Sequence, residues 1–351
     1  MENNMNKQLL WDAIGRCARP LNHLIHTMQH DNGTILRFDT ALGTHNLGDN
    51  IIMHYCSRVL DEMFPEHQKI SISTHRQPSP EEERSVSRYK YKFVCGTNLL
   101  TSCIEHHWRW ILPEGIRRKL HFRNAILLGV GWGEYESNCT VYSRMIYQAM
   151  LNPCLTHSVR DQYTLEKLQG VGIRNVINTG CPTTWALTPE FCRDIPTRKA
   201  ADVVTTITDY RRDPEHDNEM LRILSQNYDH VYLWLQGKYD GEYLNTLEIP
   251  HNLTTIPASL EAYEEVLARG GVDYVGTRLH AGIHALNYKI RSIILAVDNR
   301  ATEMGRDVNL PVIQRSDVGQ TLEPMLRSDF STKIRINQKN IDAFKAQFRR
   351  F

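Results

Sequence analysis

Apolar residues along the chain fall into two spacings, and the spacings alternate. Residues 6–30 carry apolar positions at helical intervals and predict an amphipathic helix, interrupted near Pro20. Residues 34–38 read as a strand and residues 43–50 as a turn. Residues 51–64 read as a helix, with apolar side chains at 51, 52, 55, 59, 60 and 63. A strand at 69–73 follows. Residues 77–88 are polar, with Pro78, Pro80 and the run Glu81-Glu82-Glu83, and read as a loop or an exposed helix start. Residues 93–95 and 125–130 are short apolar runs, each closed by glycine: Gly96, then Gly129, Gly131 and Gly133. That is the pattern of strands buried on both faces of a parallel sheet, with loops at their C-terminal ends.

The alternation continues with a helix at 141–150 and a strand at 155–159. Arg160-Asp161 then leads into a helix running to Leu168, with a strand near Val176-Ile177. Pro182, Pro189 and Pro196 break the rhythm, and the interdomain linker is expected there. The pattern restarts with strands at 203–208, 231–235, 272–276 and 293–297. Helices at 218–227, 260–269 and 281–288 lie between them. Short apolar strands alternating with helices require a parallel sheet with helical crossovers. The expected class is α/β, with two Rossmann-like domains facing a cleft, in the glycosyltransferase-B-like manner. The N-terminal domain spans 1–185 (acceptor side), the linker 186–200, the C-terminal domain 201–330 (donor side), and a returning helix 331–351. That last helix is basic at Lys339, Lys345, Arg349 and Arg350.

Composition removes several function classes. The chain has 351 residues, 41% of them apolar, enough for two cores. Lys and Arg number 41 against 40 Asp and Glu, so no global basic excess points to nucleic acid. The eight cysteines contain no CxxC pair, and most lie in apolar runs, which fits core thiols in a reducing cytoplasm. Residues 1–17 lack the long apolar segment and small-residue cleavage site of a signal peptide, and no apolar run is long enough to span a bilayer. GxxxxGK[ST] and GxSxG do not occur. His26/His30 and His280/His284 stand four apart, but neither pair carries the Glu of HExxH, so no metal is expected. The cluster His106-His107-Trp108 is left without a role.

The stretch Asp273-Tyr274-Val275-Gly276-Thr277-Arg278-Leu279-His280 carries the candidate chemistry. It reads as strand, tight turn and helix start. A helix start offers free N–H groups and a positive dipole end to an anion. Arg278 adds a forked cation suited to carboxylate or phosphate, Thr277 a hydroxyl, and His280 a proton donor or acceptor. The competing explanation is an Arg paired with a nearby carboxylate and a His that caps or packs. Other strand ends offer more candidates. Arg211 and Arg212, in Thr208-Asp209-Tyr210-Arg211-Arg212-Asp213, are candidate donor ligands or one side of a solvated ion-pair loop, and so is Arg160. Asn46 and Asp49 suit sugar hydroxyls, or cap the next helix. Asn98, Trp132 and Glu134 are acceptor candidates, Trp132 by stacking on a sugar or simply by packing.

In order, these loops resemble the polysaccharide pyruvyl transferase family. The matching pieces are Asn46-Leu47-Gly48-Asp49, Gly96-Thr97-Asn98-Leu99-Leu100, the glycines at 129–133, Val159-Arg160-Asp161, Gly180-Cys181-Pro182, Arg211-Arg212 and Gly276-Thr277-Arg278-Leu279-His280-Ala281. The sequence departs from the family pattern at Gly129-Val130-Gly131-Trp132 and at Asp298-Asn299-Arg300. The resemblance implies a glycosyltransferase-B-type fold. It also implies transfer of pyruvate from phosphoenolpyruvate to a sugar diol of a cell-surface polysaccharide or its lipid-linked precursor, forming a cyclic ketal. Phosphoenolpyruvate is then a co-substrate, and no cofactor is implied. His280, Arg278 and Asp49 are the implied catalytic set; Arg160, Arg211, Arg212, Thr277 and Arg278 hold the donor. The implied location is the cytoplasm, at the inner membrane face. Rival classes are a nucleotide-sugar glycosyltransferase of the same fold and a non-catalytic glycan-binding homologue.

Overall fold

A computed structural model describes residues 2–106 and 109–349 of the chain. His107, Trp108 and Arg350, each singled out in the sequence, lie outside the described residues. The chain divides into two compact units. One comprises Met1–Thr44, Ile52–Pro182 and Asn337–Phe351; the other comprises His45–Ile51 and Thr183–Ile336. Residues 186–200, expected as a linker, are grouped with the second unit and include the short helix Pro189–Cys192.

The first unit is built on parallel strands β1 (Thr34–Asp39), β2 (Gln68–Ser73), β3 (Tyr91–Cys95) and β4 (Ala125–Leu128), in the order β2-β1-β3-β4. Every residue of β3 and β4 is buried, including Lys92 of β3, whose Nζ donates to the Tyr89 carbonyl at 2.8 Å. A parallel pair, β5 (His157–Val159) and β6 (Val176–Asn178), continues beside β4. Gly129 donates to the Ser158 carbonyl at 3.0 Å, and Val130 bridges to Val159. The strand order reverses direction between β1 and β3. In such sheets the crevice beyond the carboxyl ends of the strands at that reversal is where ligands bind.

The N-terminal helix, Glu2–Met28, runs through Pro20 without a break. Pro20 lies on the exposed side, where water can take up the carbonyl that the missing N–H leaves unbonded. One flank of this helix packs on the helix Val141–Met150. Trp11 meets Tyr142 edge-on at 5.4 Å, and Asn22 Nδ2 donates to the Ala149 carbonyl at 2.7 Å. The polar stretch after β2 does contain a helix, Pro80–Val86, opened by a capping box between Ser79 and Glu82.

The second unit holds six parallel strands: β7 (Asp202–Thr205), β8 (Val231–Trp234), β9 (Leu253–Ile256), β10 (Val272–Gly276), β11 (Ser292–Ala296) and β12 (Val312–Gln314). Their order is β12-β11-β10-β7-β8-β9, that of a doubly wound sheet, with the reversal between β7 and β10. The edge strands β9 and β12 and the helices Asn299–Val308 and Val318–Arg327 are absent from the hydrophobic reading. At the other end of the sheet, Arg291 pairs with Asp273 at 2.8 Å and donates to the carbonyls of Met325, Leu326 and Ser328. This buried pair is thus bonded on several sides, the condition under which such a pair persists.

Candidate functional site

The reversal point of the second sheet brings the chemistry together. β7 leaves the sheet as Thr206-Ile207-Thr208-Asp209, and β10 leaves it beside them as Thr277-Arg278. Hydroxyls lace the two exits. Thr208 and Thr277 share a hydrogen bond of 2.8 Å, and the Arg278 N–H donates to Thr206 Oγ1 at 3.1 Å. Arg278 is almost wholly buried. Its Nε donates to the Ile207 carbonyl at 2.9 Å, and its Nη2 donates to Asp209 at 2.9 Å and also to Asp240. Asp240 opens the short helix after β8 and accepts from the Gly237 N–H at 2.7 Å. Gly237 is required here, because a Cβ would stand 2.3 Å from Arg278 Nη2.

The electrostatics follow from this geometry. Burial works against the charge of Arg278, but Asp240, Tyr210 and Asp209 outweigh it and hold the guanidinium above its usual value. Burial raises the Asp240 carboxyl, with Arg278 opposing that shift. Arg278 is therefore offset by two carboxylates and is no unopposed cation. Its remaining contribution is directional: Nε and Nη2 are spent on the protein, and no partner takes Nη1 among the described residues, which leaves it for a ligand. Tyr210, half exposed, lies between two guanidinium groups, 5.1 Å from Arg278 and 5.7 Å from Arg300. Arg300 bonds the Tyr210 hydroxyl and pairs with Asp298, the cap of the helix Asn299–Val308. Burial works against its charge, and Tyr210 and Asp298 together hold it up.

The remaining expected residues of this unit are placed as follows. Thr277 belongs to the hydroxyl lacing. His280 is the second residue of the helix Leu279–Asn287 and is buried. Arg211 and Arg212 are both exposed. Arg212 folds back, its Nε on the Asp209 carbonyl at 3.1 Å and its guanidinium 5.3 Å from the Tyr243 ring. The Arg211 carbonyl accepts from Arg315 at 2.7 Å. Asn46 Oδ1 accepts from the Gly48 N–H at 3.1 Å and from Gln236 at 2.7 Å. The helix therefore starts at Leu47, four residues earlier than its apolar pattern, with Asn46 as its cap and Asp49 buried in its first turn.

In the first unit the loops after β3, β4 and β5 meet. Arg160 is buried, bonded to Asn98 through Nη1 and to Asp161 through Nε at 2.9 Å. Asp161 in turn caps the helix Gln162–Gly170 through the Thr164 N–H at 2.8 Å. The Arg160 guanidinium lies flat on Gly131, where a Cβ would approach Cζ to 2.3 Å. Arg160 and Asn98 thus hold each other. Glu134 stays exposed, 3.1 Å from Arg109. Trp132 corrects an expectation. It is fully buried, tilted against Tyr147 at 5.7 Å with its Nε1 on Glu136 at 2.8 Å, so no face is left to stack on a sugar. Sequence reasoning passed over Asp240 and gave no role to Tyr210 or Arg300. Their signal is positional: each follows the C-terminal end of a strand next to or near β10.

The polysaccharide pyruvyl transferase family model matches residues 46–299, more than half of the chain. The chain belongs to the polysaccharide pyruvyl transferase family. The matched stretch contains both loop clusters and stops one residue short of Arg300; the helix Glu2–Met28 lies outside it. The family supports a transferase of the pyruvyltransferase kind, acting in polysaccharide biosynthesis, with a polysaccharide acceptor. No curated protein matches the chain. Among solved structures, E. coli heptosyltransferase WaaC with ADP aligns at 13% identity with a TM-score of 0.34, over 75% of this chain and 86% of that one. An A-type ketoreductase of a modular polyketide synthase aligns at 11% identity with a TM-score of 0.24, over 90% and 92%. Neither score is high enough to carry an argument. Among the described residues, no helix is long and apolar enough to cross a membrane, and no three His, Cys, Asp or Glu side chains gather to hold a metal ion.

Proposed function

We propose that this protein moves pyruvate from phosphoenolpyruvate to two hydroxyls of a polysaccharide sugar or its lipid-linked precursor, forming a cyclic ketal. The reaction takes place in the cytoplasm, on two Rossmann-like domains of the glycosyltransferase-B kind. The observation that carries the reading is Arg278 at the reversal of the second sheet. It is locked by Ile207, Asp209 and Asp240, with Nη1 uncommitted, at the start of the helix Leu279–Asn287. Phosphoenolpyruvate offers a carboxylate and a phosphate, and both suit a guanidinium N–H and the free N–H groups of a helix start. Arg211 or Arg212 supplies a second cation from the loop beside Arg278.

The reaction balances as follows. A proton adds to the methylene carbon of the donor, making it a methyl group, and a sugar hydroxyl oxygen bonds to the adjacent carbon. The bond from that carbon to the phosphate oxygen breaks, and inorganic phosphate leaves. The second hydroxyl bonds to the same carbon and closes the ketal. Of the two hydroxyl protons, one balances the proton taken up by the methylene and one leaves with phosphate. His280, beside Arg278, is assigned to proton transfer. Asp49 is the second choice, on the acceptor hydroxyl. On the acceptor side Glu134 and Asn46 remain candidates, and Arg160 with Asn98 is assigned to holding the loops after β3, β4 and β5, the second of which carries Glu134.

Ligand-dependent thermal stability tests this reading. Phosphoenolpyruvate should raise the melting temperature of the wild type and not that of Arg278→Lys. Stabilisation by a nucleoside diphosphate, with none by phosphoenolpyruvate, would place the protein among nucleotide-sugar transferases instead.

A further inference from the structure

The helix Glu2–Met28 has two apolar sides, and only one is used. Trp11, Gly15, Ala18 and Asn22 face the first unit's own core. A second arc carries Leu9, Leu10, Leu21, Leu24 and Met28, between 51% and 70% exposed. Within it Leu10, Ile14, Cys17, Leu21, Leu24 and Met28 recur at intervals of four and three, the spacing of a seam that packs against another helix. Ile14 is partly buried at the seam's border with the core, and Cys17 is exposed. The family activity does not account for this seam, because the matched residues begin at 46.

The geometry points to a second copy of this chain as the occupant, with the two N-terminal helices packed along their Leu10–Met28 seams. Three observations favour it. The seam contains no charged residue, so two identical seams meet without like-charge repulsion. Four long apolar side chains of the seam, Leu10, Leu21, Leu24 and Met28, are each more than half exposed, and with the exposed Cys17 they present on the order of 500 Å² per copy; complete burial in the pair would cover about 1,000 Å², the lower limit for a specific interface. The arc also lacks what a lipid surface selects. It carries no Trp or Phe and no Lys or Arg, and one of its borders runs into the protein's own core through Ile14.

Light scattering coupled to size exclusion tests the proposal on the full chain. The wild type is expected to be a dimer. Leu21→Glu combined with Leu24→Glu should weaken association at least a hundredfold and give a monomer with an unchanged circular dichroism spectrum. Copper-catalysed oxidation gives a second readout that needs no folded variant. A cross-linked dimer should form in the wild type and vanish in Cys17→Ser. A wild type that remains monomeric as its concentration is raised overturns the proposal. So does a monomer that floats with anionic vesicles and loses that property in the double variant.

Discussion

Arg278 spends Nε and Nη2 on three acceptors from two neighbouring strand exits, so its position owes nothing to a ligand. Lysine keeps the charge but cannot satisfy Ile207, Asp209 and Asp240 together. Arg278→Lys should therefore fold and lose about 10²–10³-fold in kcat/KM, the usual cost of removing one preorganised donor to developing charge. Steady-state kinetics with wild-type values would make Arg278 structural only. His280→Gln should retain donor affinity and lose about 10²–10⁴ in kcat, as expected for a proton-transfer group. Unchanged kcat in that variant removes the role. At this scale the sequence read well where residues are neighbours, as in Thr277-Arg278-Leu279-His280. It did not reveal that Asp240, thirty-eight positions earlier, would neutralise Arg278. Trp132 read as a stacking ring because burial depends on Tyr147 and Glu136, which sequence spacing does not bring together.

Strands and helices were legible wherever an apolar run coincided with a glycine exit, as at β3, β4 and β10. The edge strand β9 escaped because its middle residues, Thr254 and Thr255, are exposed and polar. The first turn of the helix Leu47–Met63 escaped because a cap, and not an apolar period, sets its start. Packing between elements carries its own prediction. His157, on β5, accepts the Leu127 N–H at Nδ1 (3.2 Å) and bonds the Asn152 carbonyl through Nε2 at 3.0 Å. Both ring nitrogens are thus engaged by a neutral ring. Burial lowers His157 to about 3; His26, bonded to Asn152 at 3.1 Å, is lowered to about 4, chiefly by burial. The unfolded chain takes up these protons near pH 6.5 while the fold refuses them, so stability is present above that pH and is lost as the pH falls toward 4. Each histidine should cost about 1.4 kcal/mol per pH unit in that window. Urea unfolding between pH 7.5 and 4.5 should show the slope, and His26→Gln should reduce it. A flat profile contradicts the assignment.

For the whole molecule, parallel sheets with polar loops at the carboxyl ends of their strands were legible from the alternation of short apolar runs and helices; the strand order and its reversal were not, because pairing between strands leaves no mark in the apolar spacing. Family membership was legible from the order of the loop motifs, because each is short and only their succession is specific. Which segments join which unit was not. Residues 45–51 are grouped with the second unit through Asn46 and Gln236, a contact between residues almost two hundred positions apart. In our proposal the family's polysaccharide chemistry proceeds in this protein as pyruvyl transfer from phosphoenolpyruvate. The most direct test is nuclear magnetic resonance of the product formed in deuterated water from phosphoenolpyruvate and a panel of sugar acceptors. Pyruvyl transfer should release one phosphate per turnover and give a ketal methyl group carrying one deuterium. Phosphoenolpyruvate that stays intact with every acceptor, while a nucleotide sugar is consumed, would contradict it.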